Sequence, residues 1–151
     1  MIESAGILVY RKINEQLEFF LVHPGGPFFS KRDDGWWTIP KGIIQTGEDK
    51  LTTAQREFME ETGTHVSGDF LDLGFINQKG GKRVYCYALE FNIAAASIKS
   101  NTFEMQWPPK SGNMQTFPEI DRAAWFDFHT ARLKINERQV ELLERLIESA
   151  P

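Results

Sequence analysis

Residues Gly42–Gly63 read GIIQTGEDKLTTAQREFMEETG, and the architecture of the chain follows from them. Leu51, Ala54 and Phe58 fall at i, i+3 and i+7, one apolar face of a helix beginning near Asp49. Gly63 is a natural stop for that helix. Glu57, Glu60 and Glu61 fall at i, i+3 and i+4, so the three carboxylates share one side of it. Crowded like charges repel, and an exposed helix gains little from them. Hard cations relieve the repulsion, because magnesium takes carboxylate and water oxygens, usually together with substrate phosphates. Metal-assisted attack on a phosphate is the chemistry such a group suits. Taken alone, the three acids also fit a merely solvated acidic face.

Outward from this helix the sequence alternates strand and turn signals. GILVYRK and LEFFLVH read as paired strands around the turn INEQ. PGGPFFSKRDDG is a loop, and WWTIP is expected to be a short strand ending at Pro40. After the helix, FLDLGFIN and RVYCYALEFNI form two strands joined by QKGGK, whose glycines favour a tight hairpin. SIKSNTFEMQWPPKSGNMQTFPE reads as one long irregular stretch, a length that is often functional. RAAWFDF is the last strand. A final helix follows, with Asn136 as cap, Gln139 three residues on, and Ile135 and Val140 as a hydrophobic staple. Val140, Leu142, Leu143, Leu146 and Ile147 are expected to pack this helix on the core. Strands interleaved with two helices predict a mixed sheet in an α/β (α+β) sandwich.

The 151 residues fit one domain, 1–151, large enough to fold without disulfide or structural metal. The net charge of −4 argues against a nucleic acid polymer as partner and leaves room for a small phosphorylated ligand. The single cysteine, Cys86, lies in the apolar run VYCYALEF and is expected to be a buried core thiol. There is no signal-peptide pattern and no apolar run of bilayer length, so a cytoplasmic protein without membrane contact is expected.

From Gly42 the chain runs Gly, five residues, Glu48, seven residues, Arg56-Glu57, two residues, Glu60-Glu61, one residue, Gly63. This pattern resembles the Nudix box and departs from it only at Thr64, where the family usually has an aliphatic residue. The turn IPKG, the early strand AGILVY, and WFDF with Glu119 six residues before Trp125 extend the resemblance over most of the chain, Ile98 to Phe117 least of all. It implies the family's α/β/α sandwich with a central mixed sheet. It also implies an enzyme in which water attacks a phosphorus of a nucleoside diphosphate derivative, with Mg2+, or else Mn2+, as cofactor. By the same resemblance Glu60 and Glu61 are the principal metal ligands, Glu57 a ligand or base, Glu48 a supporting ligand, and Glu119 a further ligand. Arg56 orients the box carboxylates, Gly42 lets the loop backbone approach the metal, and a carbonyl near Lys41 adds to the coordination.

The substrate is less closely specified. AGILVY, WTIPKG and GEDKLTTAQREFMEETG look similar to the diadenosine tetraphosphate hydrolase branch, which puts dinucleoside polyphosphates first. Nucleoside triphosphate pyrophosphohydrolysis is the alternative. A Nudix fold that senses a nucleotide without cleaving it is the rival from another class, although such members usually lose box glutamates. Lys41 and Lys82 are candidates for neutralising phosphates, while Arg83 could equally serve the hairpin turn. Lys31 and Arg32 read as solvated loop charges beside Asp33 and Asp34. Trp36, Trp37, Phe103 and Trp107 offer stacking surfaces, Trp107 the best placed for a pocket because its loop is otherwise polar. Alternation sends Trp36 and Trp37 to opposite faces, one of them to the core. Glu104, in the long irregular stretch, is a second candidate for the general base. His23, His65 and His129 lack metal-ligand spacing and are expected to be structural.

Overall fold

The chain carries its apolar residues in runs such as GILV and FFLV, too continuous for a sheet with one wet face. The computed structural model, which describes residues 1–149, shows why. Strand β1 (Ile2–Ile13) lies centrally, antiparallel to β2 (Gln16–Pro24) and to the short β3 (Lys41–Ile43). It lies parallel to β5 (Lys82–Glu90). With β4 (Leu71–Gln78) beyond β5 and β8 (Ile120–Asp127) beyond β2, the order is β4-β5-β1-β2-β8, and β3 attaches to β1. The sheet is mixed, as expected.

Successive residues of a strand face opposite ways. Ile7, Val9, Phe20 and Val22 therefore meet α1 (Lys50–Thr62), through its Ala54 and Phe58. Leu8, Phe19 and Leu21 face the other layer. There α2 (Phe128–Lys134) and α3 (Val140–Ser149) supply Ala131, Leu142, Leu143 and Leu146. Each of these leucines is fully buried and contributes on the order of 1.5–3 kcal/mol. The result is an α/β/α sandwich.

Several local expectations are corrected. WWTIP is not a strand: Thr38 bridges Val22 and Trp37 bridges Ile135, but the ladder itself begins at Lys41. The chain has a third helix, α2, which the strand signal of WFDF overshadows and which Asp127 caps by accepting from the Thr130 amide. The stretch read as irregular contains a hairpin, β6 (Thr102–Gln106) paired antiparallel with β7 (Met114–Pro118). Its polar, proline-flanked strands hid the alternation of Phe103 and Met105. Gln139 does not close a capping box. Asn136 caps a short 3-10 turn by accepting from the Arg138 amide, while Gln139 turns into the core. Ile147, expected in the core, is exposed.

Candidate active site

Helix α1 is well delimited. The Asp49 carboxylate accepts from the Thr52 amide at 2.9 Å, and Gly63, at φ 78°, closes the last turn in the left-handed conformation. This sets the register that puts Arg56, Glu57, Glu60 and Glu61 on neighbouring positions. Arg56 is the hub. Its Nε and Nη2 donate to both oxygens of Glu48, at 2.8 and 2.9 Å, a bidentate pair. Its Nη1 donates to Glu57 at 2.9 Å and to Glu60 at 3.0 Å, and Nη2 also reaches the Ile43 carbonyl. Together with the Thr53 hydroxyl, the guanidinium holds the Glu48 carboxyl down at about 2. The same carboxylates push the Arg56 guanidinium well above its usual range.

Glu61 is in a different situation. It is 9% exposed, and burial, then Glu57, then Glu119, push its carboxyl up to about 8 against the pull of Lys41. Glu57 is raised by burial and by Glu60, with Arg56 opposing, and Glu119 is raised by burial and by Glu60. Lys41 is lowered by its own burial and by Lys82, and raised by Glu61. Four carboxyls from two distant parts of the chain thus act on one another around a lysine. Gly42 completes the arrangement, for a Cβ there would overlap the Glu57 carboxyl.

Glu119 reaches the helix through a backbone relay. The Asn101 amide donates to the Glu60 carbonyl at 2.7 Å, the Glu119 amide to the Asn101 carbonyl at 2.8 Å, and the Gly25 amide to the Glu119 carbonyl at 2.8 Å. Ser100 Oγ accepts from the Ile120 amide at 3.1 Å. The sequence gives no sign of this strap, because its bonds run through backbone groups.

Among the described residues no three His, Cys, Asp or Glu side chains are gathered tightly enough to hold an ion as they stand. The chemistry of the set nevertheless fits a hard divalent cation: carboxylate oxygens only, one of them buried among like charges. Lys82 lies close enough to act on the Lys41 charge. Beside Lys82 is a cavity of about 470 Å³ lined by Trp36, Gln78, Lys79, Asn136 and Arg138, among others. Lys79 and Arg138 were not singled out from the sequence; turn and helix-start positions carried no motif.

The remaining candidates are spread more widely. Glu104 is exposed on β6, opposite Thr116, and it is Glu119 whose charge Glu57 and Glu61 feel. Trp107 packs edge-on against Phe28 at 5.2 Å. Trp37 is the buried tryptophan of its pair, and Trp36 is 41% exposed with the Arg32 guanidinium over its ring. Arg83 lies over Phe75, on the hairpin. His23 is buried, with Nδ1 at 2.9 Å from Asp121 and Nε2 at 2.6 Å from the Arg32 carbonyl, and Cys86 is buried. No described helix is long and apolar enough to cross a membrane.

Comparison with known proteins agrees with this geometry. A family model described as NUDIX domain matches residues 3–146. An asymmetrical bis(5'-nucleosyl)-tetraphosphatase of Caenorhabditis elegans is 36% identical over 61 residues, 40% of this chain and 40% of that protein. The Rattus norvegicus protein of the same description is 30% identical over 103 residues, 59% of this chain and 65% of that one. The matches thus span less than two-thirds of either relative. The crystal structure of a C. elegans Ap4A hydrolase binary complex superposes with a TM-score of 0.64 over 98% of this chain and 96% of that one. At 23% identity that likeness concerns the fold.

Proposed function

This chain belongs to the Nudix domain family, and on that premise we propose that it is a hydrolase, a single catalytic domain, that cleaves a phosphoanhydride bond in a nucleoside diphosphate derivative. The observation that carries the reading is the mutual approach of Glu57, Glu60, Glu61 and Glu119 beside Lys41. A buried carboxylate, Glu61, beside three others is costly, and a site that binds cations and phosphate turns the cost to use.

Glu60, Glu61 and Glu119 are the residues that would hold divalent cations, magnesium first and manganese second, with Glu48 in support. When bound, such ions stabilise charge on the phosphates and lower the pKa of a bound water. Arg56 keeps Glu48, Glu57 and Glu60 oriented. Glu57 takes the proton from the attacking water, and Glu104 on β6 is its rival for that step. Oxygen attacks phosphorus, the anhydride P–O bond breaks, and the leaving phosphate keeps the electron pair. Lys41 and Lys82 neutralise phosphate oxygens, Gly42 keeps the backbone close, and Trp107 contributes to substrate binding. The cavity beside Lys82 offers Trp36 as a face for a nucleoside.

Dinucleoside polyphosphates are the substrate class proposed, in keeping with the two tetraphosphatases among the relatives. The test is product analysis after incubation with magnesium and a panel of dinucleoside polyphosphates, nucleoside triphosphates, ADP-ribose and diphosphoinositol compounds. Preferred cleavage of the first group is expected. Triphosphates cleaved best would replace the substrate, and binding without cleavage of any would make the chain a nucleotide sensor.

A further inference from the structure

The loop after β2 and the β6–β7 hairpin meet through aromatic rings. Phe103 lies against Gly26 so closely that a Cβ there would come within 2.9 Å of its ring. Farther out, Phe28 and Trp107 meet edge-to-face, centroids 5.2 Å apart at 84°. That geometry uses one face of one ring and leaves aromatic surface uncovered, and Phe28 is 59% exposed. Trp107 beside it is half-buried, so part of each ring is open to solvent.

Their position relative to the carboxyls follows from the backbone. Gly25 bonds to the Glu119 carbonyl, and a Cβ on Gly25 would overlap the Pro118 carbonyl. Phe28 is three residues on, so its Cα lies at most about 11 Å from that of Gly25. The hairpin springs from the same place, for Asn101 and Glu119, its two feet, are bonded to each other, and Asn101 donates to the Glu60 carbonyl. An aromatic station thus stands within a nucleotide's reach of the acidic cluster. The cavity with Trp36 lies elsewhere, beside Lys82.

We propose that Phe28 and Trp107 stack the second base of a dinucleoside polyphosphate, the first nucleoside lying in the Trp36 cavity and the phosphate chain crossing the carboxyls and Lys41 between them. The proposal rests on the substrate reading above and deepens it. Stacking is tolerant of base identity, so adenine and guanine bind alike at this station.

The experiment compares diadenosine tetraphosphate with adenosine 5'-tetraphosphate, which lacks the second base, in Phe28→Ala, Trp107→Ala and Trp107→Phe. Loss of a stacking ring is expected to raise KM for the dinucleoside roughly tenfold. The rise for the mononucleoside should be several-fold smaller, and Trp107→Phe should recover most of the loss. Equal rises for both substrates overturn the proposal, as does a Trp107→Ala protein that melts early and keeps its KM. Should the wild-type chain cleave neither substrate, the substrate reading fails on its own. The station is then judged by fluorescence quenching with adenosine diphosphate. On a Trp36→Phe background, which silences the nucleoside cavity, quenching that disappears when Trp107→Phe is added sustains it; no quenching, or quenching that survives the addition, overturns it.

Discussion

Gln139 and Glu61 are both buried polar side chains, and they lie on opposite faces of the sheet. Gln139, 1% exposed, accepts from the Ile39 amide at 3.1 Å, exchanges hydrogen bonds with Thr38 Oγ1 and donates to Gln78 Oε1. It ties the segment leading into β3 to the short turn ahead of α3 and leaves nothing unmet. Glu61 faces Glu57 and Glu119, with Lys41 as the opposing charge. One residue is buried because its bonds are complete, the other although its surroundings disfavour its charge. Burial with satisfaction marks structure; burial with like charges marks a site that waits for a partner.

The largest effect that follows is on turnover. Glu60→Gln and Glu61→Gln should each lower it by orders of magnitude while the fold persists, since an amide takes nearly the same space as a carboxylate and the apolar contacts of α1 run through Ala54 and Phe58. Near-normal turnover at limiting magnesium in both would erase the distinction between Glu61 and Gln139. The second effect belongs to the structural face. Gln139→Leu strands the Ile39 amide and takes one partner from the Thr38 hydroxyl, which keeps the Ile39 carbonyl, and should cost about 2–3 kcal/mol. A thermal melt should read this as a drop of several degrees, with turnover per folded molecule close to normal. A turnover loss without a stability loss would move Gln139 into the site.

A smaller effect sharpens the boundary between the two kinds of residue. Gly42→Ala places a methyl where the Glu57 carboxyl lies. The obstacle is the end of a flexible side chain, so the fold should lose less than about 1 kcal/mol. Turnover should fall roughly tenfold, as for a disturbed supporting shell. A variant that unfolds and one that works normally are both distinguishable from this by melting and assay together.

How far the sequence anticipates these roles depends on where each role is written. Arg56, Glu57, Glu60 and Glu61 were legible because helical spacing alone puts them on adjacent positions. Ala54 and Phe58 were legible for the same reason, on the face that adjoins the carboxylates and shares Glu61. Glu119 could be guessed only from resemblance, because what brings it to Glu60 is the carbonyl and amide of Asn101. Gln139 was misassigned: a glutamine three residues after Asn136 fits a capping box, and only tertiary packing reveals the Ile39 amide waiting for it. The β6–β7 hairpin was missed since its alternation is thin, with Phe103, Met105 and Phe117 half-buried amid exposed polar neighbours. Local propensity is weak evidence where one face of a strand has little to bury.

The finest expected effect concerns pH and divides the two faces by sign. Glu61 has its carboxyl raised from an ordinary 4.5 to about 8 in the folded chain. Between those values the folded chain keeps a proton that the unfolded chain has released. Stability without divalent cations therefore falls as pH rises through that window. Glu57 and Glu119, also raised, act in the same direction. Glu48, lowered to about 2, acts in another window: its contribution is present above 4.5 and is lost as pH falls toward 2. It is half-buried and still reached by solvent, so screening lowers its weight. Gln139 does not titrate and contributes no slope. In EDTA, the melting temperature should decline from pH 5 to pH 8, and Glu61→Gln should flatten the decline. Magnesium should raise the melting temperature more at pH 8 than at pH 5, because at pH 5 binding must first displace the proton. A melting temperature indifferent to pH in EDTA, or a magnesium effect equal at both ends, would mean that Glu61 is no more constrained than Gln139.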